Sequence, residues 1–99
     1  MKWRHSLTWA IELSEPSIKQ LSKLDKPVAK PVAKRIMAFL RERVASLEDP
    51  RSIGEALKGS ELGEFWKYRV GDYRLICKIQ DGALKVLVVK LGNRREVYR

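Results

Sequence analysis

Leu7, Trp9, Ile11 and Leu13 alternate with Ser6, Thr8, Ala10 and Glu12. This is the period of two that a strand with one buried face requires, so a first strand is predicted over 7–13. Ser14 stands before Glu15 and Pro16, where its hydroxyl can cap a helix that carries proline at its start. Ile18, Leu21 and Leu24 then share one stripe, giving a first helix over 15–25. The four residues Lys26-Pro27-Val28-Ala29 are repeated at once as Lys30-Pro31-Val32-Ala33. A helix begun at Pro27 would hold Pro31 in its interior at a cost of about 3 kcal/mol, whereas a start at Pro31 avoids that cost. The second helix is therefore expected over 31–47, antiparallel to the first. Val32, Ile36, Phe39 or Leu40, Val44 and Leu47 form its apolar stripe, and Lys34, Arg35, Arg41, Glu42 and Arg43 its charged side.

Asp49-Pro50 ends that helix, and residues 51–64 contain Gly54, Gly59 and Gly63 with few anchors, which reads as a long loop with room for one helical turn. Alternation resumes in three strands, 65–70, 73–80 and 83–91, joined by turns at Gly71-Asp72 and Asp81-Gly82. The last strand is the most apolar run and is expected at the centre of the sheet, with residues 92–99 turning away from it. Trp9, Trp66 and Tyr68 fall on the apolar parity of their strands and belong to the core. The order β-α-α-β-β-β implies an α+β fold in one domain over 1–99, with a helical hairpin packed on one face of a largely antiparallel four-stranded sheet.

Composition narrows the function. The chain has 99 residues, is 44% hydrophobic, and carries 21 Lys and Arg against 12 Asp and Glu, a net charge of +9. That is enough apolar surface for one core, too little length for a large cofactor-binding architecture, and a field that attracts polyanions. The single cysteine, Cys77, lies among Leu75, Ile76 and Ile79 and reads as a buried thiol, with no internal disulfide. No stretch approaches the roughly 18 uncharged apolar residues of a membrane span, so a cytoplasmic protein without membrane contact is expected. One His, His5, and one Cys give no metal-ligand spacing, there is no glycine-rich phosphate loop, and no cofactor is expected.

The positive charge gathers at the end of the sequence. Residues 65–99 hold Lys67, Arg69, Arg74, Lys78, Lys85, Lys90, Arg94, Arg95 and Arg99 against Asp72, Asp81 and Glu96. Lys67 and Arg69 point opposite to Trp66, Tyr68 and Val70, and Arg74 and Lys78 opposite to Tyr73, Leu75, Cys77 and Ile79. Lys67, Arg69 and Arg74 should thus share an open face. Like charges so placed repel, and an anionic ligand compensates them. RNA is a suitable anion because its 2′-hydroxyl can attack the adjacent phosphate once a protein aligns it, neutralises the developing charge and moves two protons. Guanidiniums bind phosphate oxygens through forked hydrogen bonds, and electrostatic stabilisation of this kind is usually the largest catalytic contribution. A lysine can act as the base where neighbouring cations favour its neutral form.

Four stretches carry a family resemblance. They are Leu24-Asp25-Lys26-Pro27-Val28, Leu57-Lys58-Gly59, Trp66-Lys67-Tyr68-Arg69-Val70-Gly71-Asp72-Tyr73-Arg74-Leu75-Ile76, and Gly92-Asn93-Arg94-Arg95-Glu96-Val97-Tyr98. In this order the chain resembles the RelE toxins of the RelE/ParE superfamily, the ribosome-dependent mRNA endonucleases of toxin–antitoxin pairs. The resemblance implies cleavage of the A-site codon by 2′-hydroxyl attack. It also implies roles for single residues: Lys67 as candidate general base, Arg69 holding charge, Arg74 gripping the scissile phosphate, Arg94 stabilising the transition state and protonating the leaving 5′-oxygen, and Tyr98 stacking on the substrate base. Lys78, Arg95 and Arg99 are expected to contact RNA or the ribosome. Asn93 stands where many relatives carry His, and shifts proton transfer to other groups. The implied partners are a cognate antitoxin with an acidic or amphipathic segment, the ribosome with A-site mRNA, and operator DNA only through the toxin–antitoxin complex. Two other functions fit the same composition: a ParE-like toxin that inhibits DNA gyrase without cutting RNA, and a nonenzymatic basic nucleic-acid-binding module with salt-steep affinity.

Overall fold

A computed structural model of the chain describes residues 8–24, 26–57 and 65–93. Its elements in chain order are β1 (Ala10–Leu13), α1 (Glu15–Ser22), α2 (Lys26–Ala38), β2 (Glu55–Ala56), β3 (Phe65–Val70), β4 (Tyr73–Gln80) and β5 (Lys85–Asn93). The strands form one sheet in the order β1-β5-β4-β3-β2, antiparallel throughout except for the parallel pair β1 and β5. The α+β architecture matches the expectation; the sheet has five strands where four were expected.

The additional strand, β2, comes from the stretch read as loop. Gly54 adopts φ +83°, which turns the chain back so that Glu55 and Ala56 pair with Lys67 and Trp66. A Cβ at Gly54 would lie 2.6 Å from the Lys67 carbonyl oxygen and 2.8 Å from the Tyr68 ring, so only glycine permits this approach. The Trp66 indole N–H donates to the Ile53 carbonyl at 2.7 Å and fixes the segment from the other side. Two residues are too few to show a period, which is why the pattern does not reveal them.

At the start of the described chain, Trp9 and Ile11 keep the predicted parity: Trp9 is buried, and Ile11 and Leu13 pack against the core. Regular pairing begins at Ala10, and Leu7 lies outside the described residues. Ser14 caps α1 by accepting from the Ser17 N–H at 3.3 Å. The helix closes at Ser22, short of the expected residue 25, through Lys23 N–H bonds to Lys19 and Gln20 carbonyls.

The second helix departs more from the sequence pattern. It begins at Lys26 and holds Pro31 in its interior. Pro31 stands at the sixth position, past the first-turn N–H groups that lack intrahelical acceptors, so it removes the bond to the Pro27 carbonyl. Pro27, in the first turn, loses nothing. After Ala38 the chain widens into a π-helical segment over Phe39–Val44, marked by the Ala45 N–H donating to Leu40 at 2.8 Å. Successive steps of four residues, Ile36, Leu40 and Val44, drift off a stripe of 3.6 residues per turn. The wider turn brings Leu40, Val44 and Ala45 back onto the core together, and all three are buried. Helical geometry therefore ends at Val44, before the predicted residue 47.

The core joins Trp9, Ile36, Leu40 and Val44 to Tyr68, Leu75, Cys77, Val86, Val88 and Leu91 on the facing side of the sheet. The central strand is β4, not the more apolar β5, which lies between β4 and β1. Addition of β2 at the far edge moves the centre from between β5 and β4 onto β4. β5 is also displaced from 83–91 to Lys85–Asn93, because Asp81–Ala83 forms a tight turn closed by Leu84 at φ 48°. Gly92 and Asn93 therefore continue the sheet, opposite Arg74 and Tyr73, instead of turning away.

β5 contains one irregularity with consequences for the site. Ile76 pairs with Lys90, but its neighbour Cys77 pairs with Val88, so Val89 is an extra residue in a β-bulge. Backbone groups around the bulge are satisfied from α1 and its N-cap Ser14. Ser14 Oγ donates to the Val89 carbonyl at 3.1 Å, the Ser14 N–H to the Val88 carbonyl at 2.9 Å, and the Leu91 N–H donates to Gln20 Oε1 at 2.8 Å.

Candidate functional site: a basic sheet face

The strand registers arrange the face away from the helices in rows. Lys67, Ile76 and Lys90 form one row across β3, β4 and β5; Arg69, Arg74 and Gly92 form the next, toward the Gly71-Asp72 turn. Glu55 on β2 stands opposite Lys67 and extends the first row. Ile76 is 6% exposed yet lies outside the core cluster, with a lysine on each side of it. The predicted common face for Lys67, Arg69 and Arg74 is thus present, and Arg69 and Arg74 are direct register partners.

Gly54, Glu55, Lys67, Tyr68, Arg69 and Arg74 line a cleft of about 60 Å³ on this face. Arg74 Nη1 donates to the Gly71 and Tyr73 carbonyls at 3.2 and 3.1 Å, which holds its guanidinium beside the turn. Among the described residues, no carboxylate forms an ion pair with Arg69, Arg74 or Lys90. Two other cations are paired. Lys85 pairs with Glu12 at 3.0 Å, and Arg51 makes a two-pronged contact with Asp81 at 2.8 and 3.0 Å. Hydrogen bonding with Arg51 holds the Asp81 carboxyl below its ordinary range and raises Arg51 in turn.

Two further groups with chemical potential are structural. The Tyr68 hydroxyl donates to the Pro50 carbonyl at 2.6 Å, and burial holds its proton well beyond the usual tyrosine range. The Cys77 thiol is buried in the core and pushed up to about 12 by desolvation, so it supplies no thiolate at neutral pH.

Of the other residues singled out in the sequence, Lys78 is on the same face but separated from Arg74 by the Ile76 row, four residues along the strand or roughly 13 Å. Arg94, Arg95, Tyr98 and Arg99 lie outside the described residues. Two residues on the face were not foreseen. Nothing in the local pattern points to Glu55. Lys90 had a signal: the apolar series Val86, Val88, Leu91 breaks its period of two at Lys90, as a bulge requires.

Comparison with known proteins agrees with this architecture. A family model described as the ParE toxin of the type II toxin–antitoxin system, parDE, matches residues 11–98. The chain therefore belongs to the ParE toxin family of type II toxin–antitoxin systems, within the RelE/ParE superfamily. The toxin–antitoxin complex RelBE2 from Mycobacterium tuberculosis is similar with a TM-score of 0.69 and 22% identity, over 88% of this chain and 92% of that one. A mutant E. coli RelE toxin in the free state gives 0.60 at 24% identity, over 92% and 90%. The archaeal RelE–RelB complex from Pyrococcus horikoshii OT3 gives 0.54 at 22%, over 88% and 96%. These likenesses establish the RelE fold. No curated protein matches the sequence. Among the described residues, no helix is long and apolar enough to cross a membrane.

Proposed function

We propose that this toxin is a ribosome-dependent endoribonuclease that cuts mRNA in the A site and is neutralised by a cognate antitoxin. The observation that carries this reading is the direct opposition of Arg69 and Arg74, beside Lys67 and with no carboxylate paired to either arginine among the described residues. Such an arrangement is stabilised by an anionic ligand and suits a phosphodiester. The substrate's 2′-oxygen attacks phosphorus as its proton passes to Lys67. Arg74 and Arg69 hold the charge that builds on the non-bridging oxygens, and the 5′-oxygen leaves after taking a proton, a role proposed for Arg94. Tyr98 is proposed to orient the base. RelE–RelB complexes among the structural relatives support an antitoxin partner, and the ribosome and operator DNA complete the proposed set.

The test is to map mRNA 5′ ends in cells expressing the chain, using translated and untranslated versions of one transcript. Codon-phased cuts confined to the translated message are expected, and Arg74→Ala should reduce them by about 10²–10³-fold. Cuts that persist in Arg74→Ala, or that ignore translation, refute the assignment. The family match to the ParE toxin favours a second reading, inhibition of DNA gyrase without RNA cleavage. Arrested growth with intact message and blocked supercoiling would establish that reading instead.

A further inference from the structure

The β5 bulge determines what the basic face contains. A regular strand would place Lys90 on the parity of Val86 and Val88, both fully buried, and would turn Leu91 out to the open face. Insertion of Val89 reverses both. Leu91 enters the core and Lys90 joins the row of Lys67 and Ile76, next to the Arg69–Arg74 row. Lys90 has no carboxylate partner among the described residues, whereas Lys85, the other lysine of the same strand and face, is neutralised by Glu12. The bulge is held from outside the strand, by Ser14 Oγ on the Val89 carbonyl and Gln20 Oε1 on the Leu91 N–H.

We infer that Lys90 is a further substrate-binding residue of this site, taking a backbone phosphate of single-stranded RNA that lies across the strands, and that Gln20 is a positioning residue acting through the bulge. The inference rests on the RNA-cleaving reading above and extends it from one phosphate to a track. Adjacent strands are about 4.8 Å apart, so Lys67 and Arg69 on β3, Arg74 on β4 and Lys90 on β5 line a path of roughly 10 Å perpendicular to the strands. A contact to a phosphate that does not react is made equally in the ground and transition states. It therefore lowers KM and leaves kcat unchanged.

Two measurements test the inference on the full chain. In cleavage of mRNA on programmed ribosomes, Lys90→Met should raise KM about tenfold with kcat preserved, and Lys90→Arg should restore KM. In binding to a single-stranded RNA oligonucleotide, Lys90→Met should reduce the slope of log K against log salt by about 0.7, the share of one phosphate. Gln20→Leu, which removes the acceptor for the Leu91 N–H, should reproduce the KM increase, and Gln20→Glu, which keeps it, should not. Unchanged KM and unchanged salt slope in Lys90→Met would overturn the inference, as would a loss confined to kcat. If the parent chain cleaves no RNA, the reading on which the track rests fails visibly, and the oligonucleotide salt slope still decides whether Lys90 meets a phosphate. Should Gln20→Leu fail to fold, Lys90→Met and Lys90→Arg decide the matter by themselves.

Discussion

The Arg69–Arg74 pair can be tested through stability as well as activity. The two residues are register partners on β3 and β4, and Arg74 is tied to the Gly71 and Tyr73 carbonyls, so its charge stays beside the turn. Like charges directly opposite across two strands destabilise by up to about 1 kcal/mol. Arg69→Gln removes one charge and keeps most of the side-chain length. At low ionic strength it should stabilise the protein by about 0.5 kcal/mol, a rise in Tm of roughly 2–4 °C for a chain of this size. At ~1 M salt the screening length falls to about 3 Å and the difference should close. Thermal melts followed by circular dichroism at ~0.01 M and ~1 M salt, run beside the cleavage assay, show both sides: the variant gains stability and loses activity. A double variant with Arg74→Gln should gain little beyond the single one, since one charge is enough to relieve the pair. An unchanged or lowered Tm at low salt, or a gain insensitive to salt, would refute electrostatic opposition as the source of strain.

Pro31→Ala restores an N–H inside α2 and should stabilise the chain by about 1–3 kcal/mol in urea titration; a neutral or destabilising result would instead place the helix start at Pro31, where proline is favoured. The buried Cys77 thiol keeps its proton to about pH 12 in the folded protein, while the unfolded thiol ionises near 8.5. Its contribution is fully present below the unfolded value and is lost as pH rises from there toward the folded value. Denaturation midpoints should therefore fall above about pH 8.5, by as much as about 1.4 kcal/mol per pH unit from this group, and Cys77→Ala should flatten that slope; the same slope in the variant would assign it elsewhere.

Much of the fold was legible because its signals are local. Ser14 with Pro16 marked the start of α1, and the alternation from Phe65 to Gln80 placed both hairpin strands and the open face of Lys67, Arg69 and Arg74. What was missed depends on tertiary contacts. Pro31 carries the interior cost of one lost bond and a crowded preceding turn, and packing of Val32 and Ile36 against the sheet outweighs it. β2 exists because Gly54 can approach the Lys67 backbone, and no propensity in Glu55-Ala56 announces it. The π-helical turn and the bulge are corrections of phase: each inserts backbone so that apolar residues at irregular spacing reach one core. The bulge therefore changed the site, adding Lys90 to a face that strict alternation would have denied it.

The parallel pairing of β1 with β5 also orders events in time. Ser14 and Val89 are bonded across 75 residues of chain, and β5 is the last of the five strands to be synthesised. Contacts so distant in sequence close slowly, and no part of the N-terminal strand can enter the sheet while β5 is still being made. During its own translation the toxin thus lacks the strand that carries Lys90 and joins both ends of the sheet. The rows of the basic face that lie on the β3–β4 hairpin can form before β5 is made, and β5 then adds Lys90 to them as it joins β1 to the sheet.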